Sequence, residues 1–196
     1  SAVRIIADFK ALSLKIKPAS VKYIMFSGEA MPVKTLKYLR SELPDVTYVN
    51  LYGPTEITCN CTYYKIPQEL ESETYIPIGK PFRNTKVFLI DENGALIDKE
   101  GVKGELCVSG TCLALGYYNN PEKTSEVFRF DKNISEYPVR MYCTGDIAYY
   151  DKNMNLVFAS RKDFQIKHMG HRIELGEIEA VLNTYSGIRI ACCIFD

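Results

Sequence analysis

The chain has 196 residues with 24 basic and 24 acidic side chains, so its formal net charge is zero. This balance argues against binding to nucleic acid or to an anionic membrane surface, because both depend on an excess of positive charge. Hydrophobic residues make up 46% of the chain and aromatic residues 12%, whereas charged residues make up 24%. Such a composition supports a packed core and excludes an intrinsically disordered chain.

The cysteine content and the hydropathy indicate the cellular setting. Seven cysteines without any Cys-x-x-Cys pair fit neither a disulfide framework nor a four-thiolate zinc site. We therefore expect a reducing, cytoplasmic location. No stretch approaches about 18 uninterrupted apolar residues, and charged side chains interrupt residues 1–15, so we expect neither a membrane span nor a secretory signal.

The first third of the chain alternates helical and extended patterns. Helices are predicted over residues 3–14 and 33–43, and strands over residues 21–26 and 46–51. Pro32 can occupy the first turn of the second helix, and Pro44 lies just beyond its end. This alternation is typical of a parallel or mixed sheet with helices on its faces, in which loops after the strands bind ligands.

From about residue 76 to residue 160 the pattern changes to short extended runs separated by turns. Strands are predicted over residues 86–90, 105–108, 140–149 and 156–159, with turns at 92–94 and 151–153. Pro121 opens one short helix, with Asn120 as its N-cap. These elements indicate an antiparallel sheet or barrel.

The last part of the chain predicts a hairpin over residues 164–174, a helix over 175–184 and a strand over 188–195. The helix carries Glu177 and Glu179 near its positive end. We expect Cys192 and Cys193 to be packed thiols of the final strand. The His168-x-x-His171 spacing is compatible with zinc, but no further ligand stands nearby, and we interpret both residues as part of the hairpin.

Residues 50–56 carry an amide, a phenol, a hydroxyl and a carboxylate at the end of a predicted strand. A Gly-Pro pair lets the backbone approach a ligand closely, and Tyr52 offers a stacking surface. Thr55 can bind a phosphate oxygen, and Glu56 can bind Mg²⁺. An ordinary strand-to-loop turn with an incidental acid is the alternative, and the spacing alone leaves both open.

The letters NLYGPTE at residues 50–56 resemble the N-x-Y-G-P-T-E signature of the adenylate-forming superfamily, which includes amino-acid adenylation domains, acyl-CoA synthetases and luciferases. Further stretches match the same family in the same order: FSGE at 26–29, GEL at 104–106 through Gly110, GY at 116–117, PEKT at 121–124, YCTGD at 142–146, and RKDFQIK at 161–167 running on to GHRIELGEIE at 170–179.

The resemblance implies a mixed α/β fold. Residues 1–162 would form the C-terminal part of the large AMP-binding subdomain, with an α/β portion at 1–75 and a distorted antiparallel β-barrel portion at 76–162. Residues 163–196 would begin the small C-terminal lid, and Asp163 would be the hinge on which that lid rotates.

The resemblance also implies a nucleotide site. Tyr52 would stack on adenine with Asn50 at the edge of the base, Thr55 would meet the α-phosphate of ATP, and Glu56 would ligate Mg²⁺. The set of residues implied to bind the nucleotide is Gly28, Asn50, Leu51, Tyr52, Gly53, Pro54, Thr55, Asp146, Phe158 and Arg161. Thr55 and Glu56 would be the catalytic residues within this site.

Three of these residues lie far along the chain from the signature. Asp146 would accept hydrogen bonds from both ribose hydroxyls, Arg161 would lie against the ribose and phosphate, and Phe158 would flank the nucleotide. A turn acid and a surface arginine are the ordinary alternatives. Ser160 stands where the family usually has glycine before the arginine, which affects loop geometry but removes no catalytic group.

The places that line the amino-acid side-chain pocket in adenylation domains correspond here to Met25, Ser27, Leu51, Cys59 and Asn60. Core packing is the alternative role for them. The family's phosphate loop and its C-terminal lysine have no counterpart in the 196 residues, so we expect this chain alone to be inactive.

The implied activity is ATP-dependent activation of an amino acid and its transfer to the phosphopantetheine thiol of a carrier protein. Residues 163–167 and Ser27 resemble the D-alanine:carrier-protein ligase of teichoic acid metabolism, whereas residues 172–177 and 77–81 look equally like a peptide-synthetase adenylation domain. An acyl-CoA synthetase and a non-catalytic fragment are the alternatives.

Overall fold

A computed structural model describes residues 2–13, 18–70, 75–131, 137–163, 165–168, 171–185 and 187–195. Its first half is a mixed sheet with helices on one face. The helices are α1 (Ala2–Asp8), a short 3-10 helix (Ala11–Ser13) and α2 (Val33–Glu42), and the strands are β1 (Tyr23–Phe26), β2 (Thr47–Tyr52), β3 (Thr62–Lys65) and β4 (Lys80–Pro81).

In this first sheet the strand order is β1-β2-β3-β4. Strands β1 and β2 are parallel, and the other pairs are antiparallel. Leu36 and Leu39 of α2 are fully buried against Phe26 and Tyr48, so the helices cover the face of the sheet that carries these two aromatic rings. The opposite face keeps Tyr23 and Met25 exposed, as the alternation of side chains along a strand requires.

The second half is a six-stranded antiparallel sheet with the order β10-β9-β7-β5-β6, and β8 pairs with β9. Its strands are β5 (Thr85–Ile90), β6 (Leu96–Ile97), β7 (Gly104–Gly110), β8 (Phe128–Asp131), β9 (Val139–Tyr150) and β10 (Leu156–Arg161), and helix α3 (Pro121–Val127) precedes β8. Asn120 caps α3 as predicted, because its side-chain oxygen accepts a hydrogen bond of 3.0 Å from the backbone N–H of Lys123.

The two sheets meet where the chain enters β4. The N–H of Ile78 donates to the carbonyl of Leu156 at 2.8 Å, and the N–H of Leu156 donates to the carbonyl of Gly79 at 2.9 Å. Gly79 has φ +84°, and a Cβ atom there would overlap the carbonyl oxygen of Tyr63. The junction between the sheets therefore requires glycine at this position.

The last described elements are the hairpin of β11 (Gln165–His168) and β12 (His171–Glu174) and the helix α4 (Leu175–Asn183). Two residues of the predicted hairpin, Phe164 and Gly170, lie outside the described residues. Within the described ranges, every helix falls short of the length and apolar character that a bilayer crossing demands.

The predicted strand over residues 188–195 is wrong, because the described residues 187–195 contain no strand. The backbone N–H groups of Ala191 and Cys193 donate instead to side-chain oxygens of Asn183 and Glu179, at 2.7 and 2.8 Å. Side chains of α4 thus take the place of a neighbouring strand. Cys192 is exposed, so the expectation that it packs within a strand is also wrong.

The other predicted helices and strands are confirmed, with boundary shifts, and the first helix divides into α1 and the 3-10 helix. Sequence reasoning missed β3, β4, β6 and β8. These strands have two to four residues each. Runs this short carry too little alternation to stand out, and they form because a longer strand offers hydrogen-bond partners beside them. The mixed α/β fold with an antiparallel second half agrees with the expectation.

Candidate active site

The turn after β2 is compact because a loop packs directly on it. A Cβ atom at Gly53 would lie 2.5 Å from the Cα atom of Asn60, so only glycine admits this approach. A short 3-10 helix over Thr55–Ile57 follows, and Thr58 and Cys59 then adopt positive φ values of 59° and 88°. The turn leaves Thr55 exposed and buries Glu56, so the hydroxyl and the carboxylate of the signature lie at different depths.

Tyr52 and Asp146 meet across the two sheets. They are 94 residues apart in the chain, and the Tyr52 hydroxyl donates a hydrogen bond to Oδ2 of Asp146. Both residues are buried. Burial and the neighbouring charge of Asp146 raise the pKa of the Tyr52 phenol well above its usual range. Tyr52 therefore keeps its proton and acts as a hydrogen-bond donor.

Arg161 connects Asp146 with the predicted hinge residue. Its Nη1 lies 2.7 Å from Oδ1 of Asp146, and its Nε and Nη2 each lie 2.6 Å from an oxygen of Asp163. Burial by itself would lower the pKa of Arg161, but the hydrogen bonds and charges of the two carboxylates outweigh it and raise that pKa. A permanent cation thus stands between the predicted ribose-binding acid and the predicted hinge.

The backbone before Asp146 leaves room for this cation. Gly145 has φ +72°, and a Cβ atom there would lie 3.0 Å from Nη2 of Arg161. The N–H of Gly145 donates to Oε1 of Glu105 at 3.1 Å, and its carbonyl accepts from the N–H of Lys162 at 2.7 Å. Thr144, Gly145 and Asp146 lie within β9, so this stretch of strand is held by β7 on one side and by the residue after β10 on the other.

A β-bulge brings Phe158 and Arg161 to one face of the second sheet. Phe158 is paired with Ala148 and Arg161 with Asp146, and the register shifts between Phe158 and Ser160. Residues three apart on a regular strand face opposite sides, whereas the extra residue restores a common face. Phe158, which is 40% exposed, thus shares the face of Asp146.

Glu56 is held by residues that sequence reasoning did not assign to the site. The Tyr117 hydroxyl donates to Oε1 of Glu56 at 2.5 Å, and the N–H of Ala114 donates to the Glu56 backbone carbonyl at 2.8 Å. The signal was available, because the Gly116-Tyr117 pair is one of the matched motifs, but the motif alone does not say which residue Tyr117 touches.

The turn after β2 contains residue types that are chemically suited to Mg²⁺. Magnesium bound with nucleotide phosphates usually takes one or two protein carboxylates and completes its shell with phosphate and water oxygens. Glu56 supplies a carboxylate, and the exposed Thr55 hydroxyl stands next to it in the chain. Within the described ranges, no cluster of three or more His, Cys, Asp or Glu side chains could hold a metal ion. His168 and His171 of the hairpin therefore belong to no such cluster there.

Three of the five predicted pocket residues lie in contact. The Ser27 hydroxyl donates to Oδ1 of Asn60 at 2.7 Å, and Nδ2 of Asn60 lies 3.3 Å from Sγ of Cys59. Met25 and Leu51 lie on the sheet face opposite α2, since Met25 pairs with Val49 and Leu51 follows Val49 by two residues. Gly28, with φ +92° and open space around it, follows Ser27 directly.

Asn50 lies deeper than the resemblance suggests. It is 7% exposed, and its Nδ2 donates to the carbonyl of Pro77 at 2.8 Å. This hydrogen bond joins β2 to the segment that links the two sheets. Contact of Asn50 with a base edge, and stacking of the Tyr52 ring on adenine, stay predictions.

The profile of the family described as AMP-binding enzyme matches residues 3–118. The chain is 39% identical over 181 residues to the L-proline--[L-prolyl-carrier protein] ligase of Streptomyces coelicolor, covering 91% of this chain and 32% of that protein. It is 40% identical over 175 residues to tyrocidine synthase 2 of Brevibacillus parabrevis, covering 89% of this chain and 5% of that protein.

Solved structures show the same fold. Holo-PA1221, a protein with adenylation and PCP domains of a nonribosomal peptide synthetase (NRPS), bound to a vinylsulfonamide inhibitor, superposes with a TM-score of 0.84 at 30% identity, over 93% of this chain and 31% of that one. The Vibrio cholerae adenylation domain AlmE, in complex with glycyl-adenosine-5'-phosphate, gives a TM-score of 0.80 at 28% identity, over 95% and 35%. The chain therefore spans about a third of each of these two structures.

Proposed function

Because the chain belongs to the family of AMP-binding enzymes, we propose that it is part of an enzyme that activates an amino acid as its aminoacyl-adenylate and transfers it to a carrier protein. The carrier protein and the amino acid are suggested by the name of the Streptomyces ligase, and the adenylate by the glycyl-adenosine-5'-phosphate bound to AlmE. The complete reaction is proposed for a polypeptide that contains this chain, which spans 32% of that ligase.

The observation that carries the proposal is the meeting of Tyr52, Asp146 and Arg161 at the junction of the sheets. A carboxylate has two acceptor oxygens, which suits the two vicinal hydroxyls of a ribose. In the described structure these oxygens accept from Tyr52 and Arg161. Bound ribose would exchange with these donors, and the exposed Phe158 on the same face would flank the nucleotide.

The phosphates of ATP would lie at the turn after β2. The exposed Thr55 hydroxyl would donate to an α-phosphate oxygen, and Glu56 would hold Mg²⁺. Bound Mg²⁺ would neutralise charge on the phosphate oxygens. A carboxylate oxygen of the amino acid then attacks the α-phosphorus in line with the leaving pyrophosphate. The role of these residues is to orient the phosphate and to offset its charge.

In the second half-reaction the phosphopantetheine thiolate of the carrier attacks the acyl carbon, and AMP leaves with the electron pair of the broken carbon–oxygen bond. We propose that Asp163 absorbs the backbone rotation that brings the lid, beginning at residue 163, towards this step. Asp163 lies between the end of β10 and the start of β11, and its contacts with Arg161 place the proposed hinge beside Asp146.

The amino-acid side chain would face Ser27, Cys59 and Asn60, with Met25 and Leu51 on the adjoining sheet face. Activation in the manner of a peptide synthetase is favoured by the tyrocidine synthase relative. D-alanine is a second candidate substrate, because residues 163–167 and Ser27 resemble D-alanine ligases.

Amino-acid-dependent exchange of pyrophosphate into ATP tests the proposal. The assay is run with the 196-residue chain and with the longest polypeptide encoded around it, using Mg²⁺, a panel of L-amino acids, glycine and D-alanine. We expect exchange with one or a few amino acids by the longer polypeptide. Asp146→Asn is expected to raise the KM for ATP by about tenfold or more, because an amide donor replaces one of the two ribose acceptors.

Two results would count against the proposal, and a third would overturn a separate expectation. Exchange that depends on fatty or aryl acids, with transfer to CoA, would identify an acyl-CoA synthetase. ATP binding without exchange by either polypeptide would support the non-catalytic alternative. Exchange by the 196-residue chain alone would overturn our expectation that this chain is inactive by itself.

A further inference from the structure

Residues 112–128 contact both the backbone and the side chain of Glu56. The N–H of Ala114 donates to the Glu56 carbonyl at 2.8 Å, and the Tyr117 hydroxyl donates to Oε1 of Glu56 at 2.5 Å. The carbonyl of Cys112 also accepts from the Thr58 hydroxyl at 2.8 Å. The turn that carries the proposed metal ligand is therefore held at Glu56 and at Thr58 by one distant part of the chain.

The backbone of Tyr117 is fixed to the start of α3. Gly116 has φ +147°, and a Cβ atom there would lie 2.8 Å from Oγ1 of Thr124. That hydroxyl accepts from the N–H of Tyr117 at 2.9 Å and donates to the carbonyl of Asn120 at 2.7 Å. Asn120 caps α3, so these hydrogen bonds fix the backbone of Tyr117 to the first turn of that helix.

The ring of Tyr117 is fixed as well. It packs edge to face on Phe128, with 6.1 Å between the ring centroids. The Arg140 guanidinium lies 4.5 Å from the centroid of Phe128 and donates to the carbonyls of Ala114 and Leu115 at 2.7 and 2.8 Å. The phenol therefore has little freedom to leave Glu56, because its ring and its flanking backbone have separate supports.

We propose that Tyr117 is a positioning residue that orients the Glu56 carboxylate for Mg²⁺. The inference rests on the proposed function, since it takes Glu56 as the metal ligand. A hydrogen bond from the phenol to Oε1 fixes the plane of the carboxylate before the metal arrives, so the ion finds an oriented oxygen. Outer partners of metal-binding side chains of this kind typically change metal affinity by about 10- to 100-fold.

The test is the Mg²⁺ dependence of two quantities, pyrophosphate exchange and ATP binding measured by calorimetry, in whichever polypeptide shows amino-acid-dependent exchange. The half-maximal Mg²⁺ concentration should shift in the same direction in both. Tyr117→Phe keeps the ring and its contact with Phe128 but removes the donor. We expect the Mg²⁺ concentration for half-maximal exchange to rise about tenfold. The rate at saturating Mg²⁺ should stay within about twofold of the unmodified protein, and the KM for the amino acid should not change.

Tyr118→Phe is the matched control, because Tyr118 is the next residue and is 94% exposed. Its Mg²⁺ dependence should equal that of the unmodified protein. If Tyr117 has only a structural role, Tyr117→Phe will lower the rate at every Mg²⁺ concentration and leave the half-maximal concentration unchanged. That result overturns the proposal.

Glu56→Gln separates this inference from the proposed function. If Glu56→Gln raises the Mg²⁺ requirement and Tyr117→Phe does not, Glu56 remains the ligand and the positioning role of Tyr117 is refuted. If Glu56→Gln leaves the requirement unchanged, the ligand assignment fails and the positioning role fails with it. Absence of exchange from every polypeptide overturns both.

Discussion

Replacing Arg161 with alanine should destabilise the chain strongly, because it leaves Asp146 buried without its cation. The side chains of Asp146 and Arg161 are 6% and 14% exposed, and their closest atoms are 2.7 Å apart. Removing one partner of a buried ion pair costs about 3 to 5 kcal/mol, since the remaining charge stays out of water. The Tyr52 hydroxyl still donates to Asp146 in the variant, so we expect the lower end, about 3 kcal/mol.

Urea unfolding of the 196-residue chain at pH 7 measures this loss, and thermal unfolding gives a second estimate. For a chain of this size, about 3 kcal/mol corresponds to a decrease in Tm of roughly 6 to 12 °C. Lys162→Ala is the control, because the Lys162 side chain is 67% exposed and its nitrogen lies 3.4 Å from Glu105. An exposed pair of this kind contributes about 0 to 1 kcal/mol.

A double-mutant cycle assigns the loss to the contact between Asp146 and Arg161. In an Asp146→Asn background no buried charge remains at that position, so Arg161→Ala should cost about 1 to 2 kcal/mol less than in the unmodified chain. The cost that remains reports the contacts of Arg161 with Asp163. The reasoning is refuted if Arg161→Ala costs no more than Lys162→Ala, or if the two substitutions are additive.

Three further predictions concern stability. Gly79→Ala should lower the free energy of unfolding by about 3 kcal/mol or more, because the added Cβ overlaps the Tyr63 carbonyl. Gly101→Ala should cost about 1 to 2 kcal/mol, because Gly101 has φ +72° but open space around it. Thermal unfolding compares the two variants. Burial raises the pKa of Tyr48 to about 12 from an ordinary value of 10.0. The unfolded chain therefore loses this proton first, so stability is retained below pH 10 and falls by about 2 to 3 kcal/mol between pH 10 and 12, a loss that Tyr48→Phe should reduce in alkaline unfolding. Asn120→Ala should cost about 1 kcal/mol in urea unfolding, because α3 loses its cap.

Each of these predictions has a clear contrary result. Equal costs for the two glycine variants would mean that the junction relaxes around the added methyl group. An alkaline transition that is the same with and without the Tyr48 hydroxyl would remove Tyr48 as its cause. No change in stability on loss of the Asn120 side chain would mean that its hydrogen bond in α3 contributes nothing net.

Much of the fold could be predicted because its signals are local. Pro32 and Pro44 flank α2, and Asn120 stands before Pro121 at the start of α3, as the structure has them. Strands β5, β7, β9 and β10 carry enough apolar residues to be recognised alone. The final strand was predicted wrongly because residues 188–195 are apolar in sequence, whereas backbone N–H groups there bond to side chains of α4. An apolar run does not say which partner its backbone will find.

The candidate site divides in the same way. Tyr52, Thr55, Glu56 and Asp146 stood out because their chemistry and motif context are visible in the letters. The contact of Tyr117 with Glu56 was missed, because the two are 61 residues apart and belong to different motifs. The inward position of Asn50 was also missed, since it depends on the Pro77 carbonyl, 27 residues away.

The sequence by itself determined which elements form and which side chains can carry chemistry, because capping, turn residues and the spacing of apolar positions act over a few residues. Only the tertiary structure decided that Tyr52 meets Asp146, that Ser27 meets Asn60, and that a bulge turns Phe158 and Arg161 to one face. These contacts depend on how two sheets pack at Gly79 and on the register of long strands. No short-range pattern encodes either, since each is set by the fit of distant surfaces.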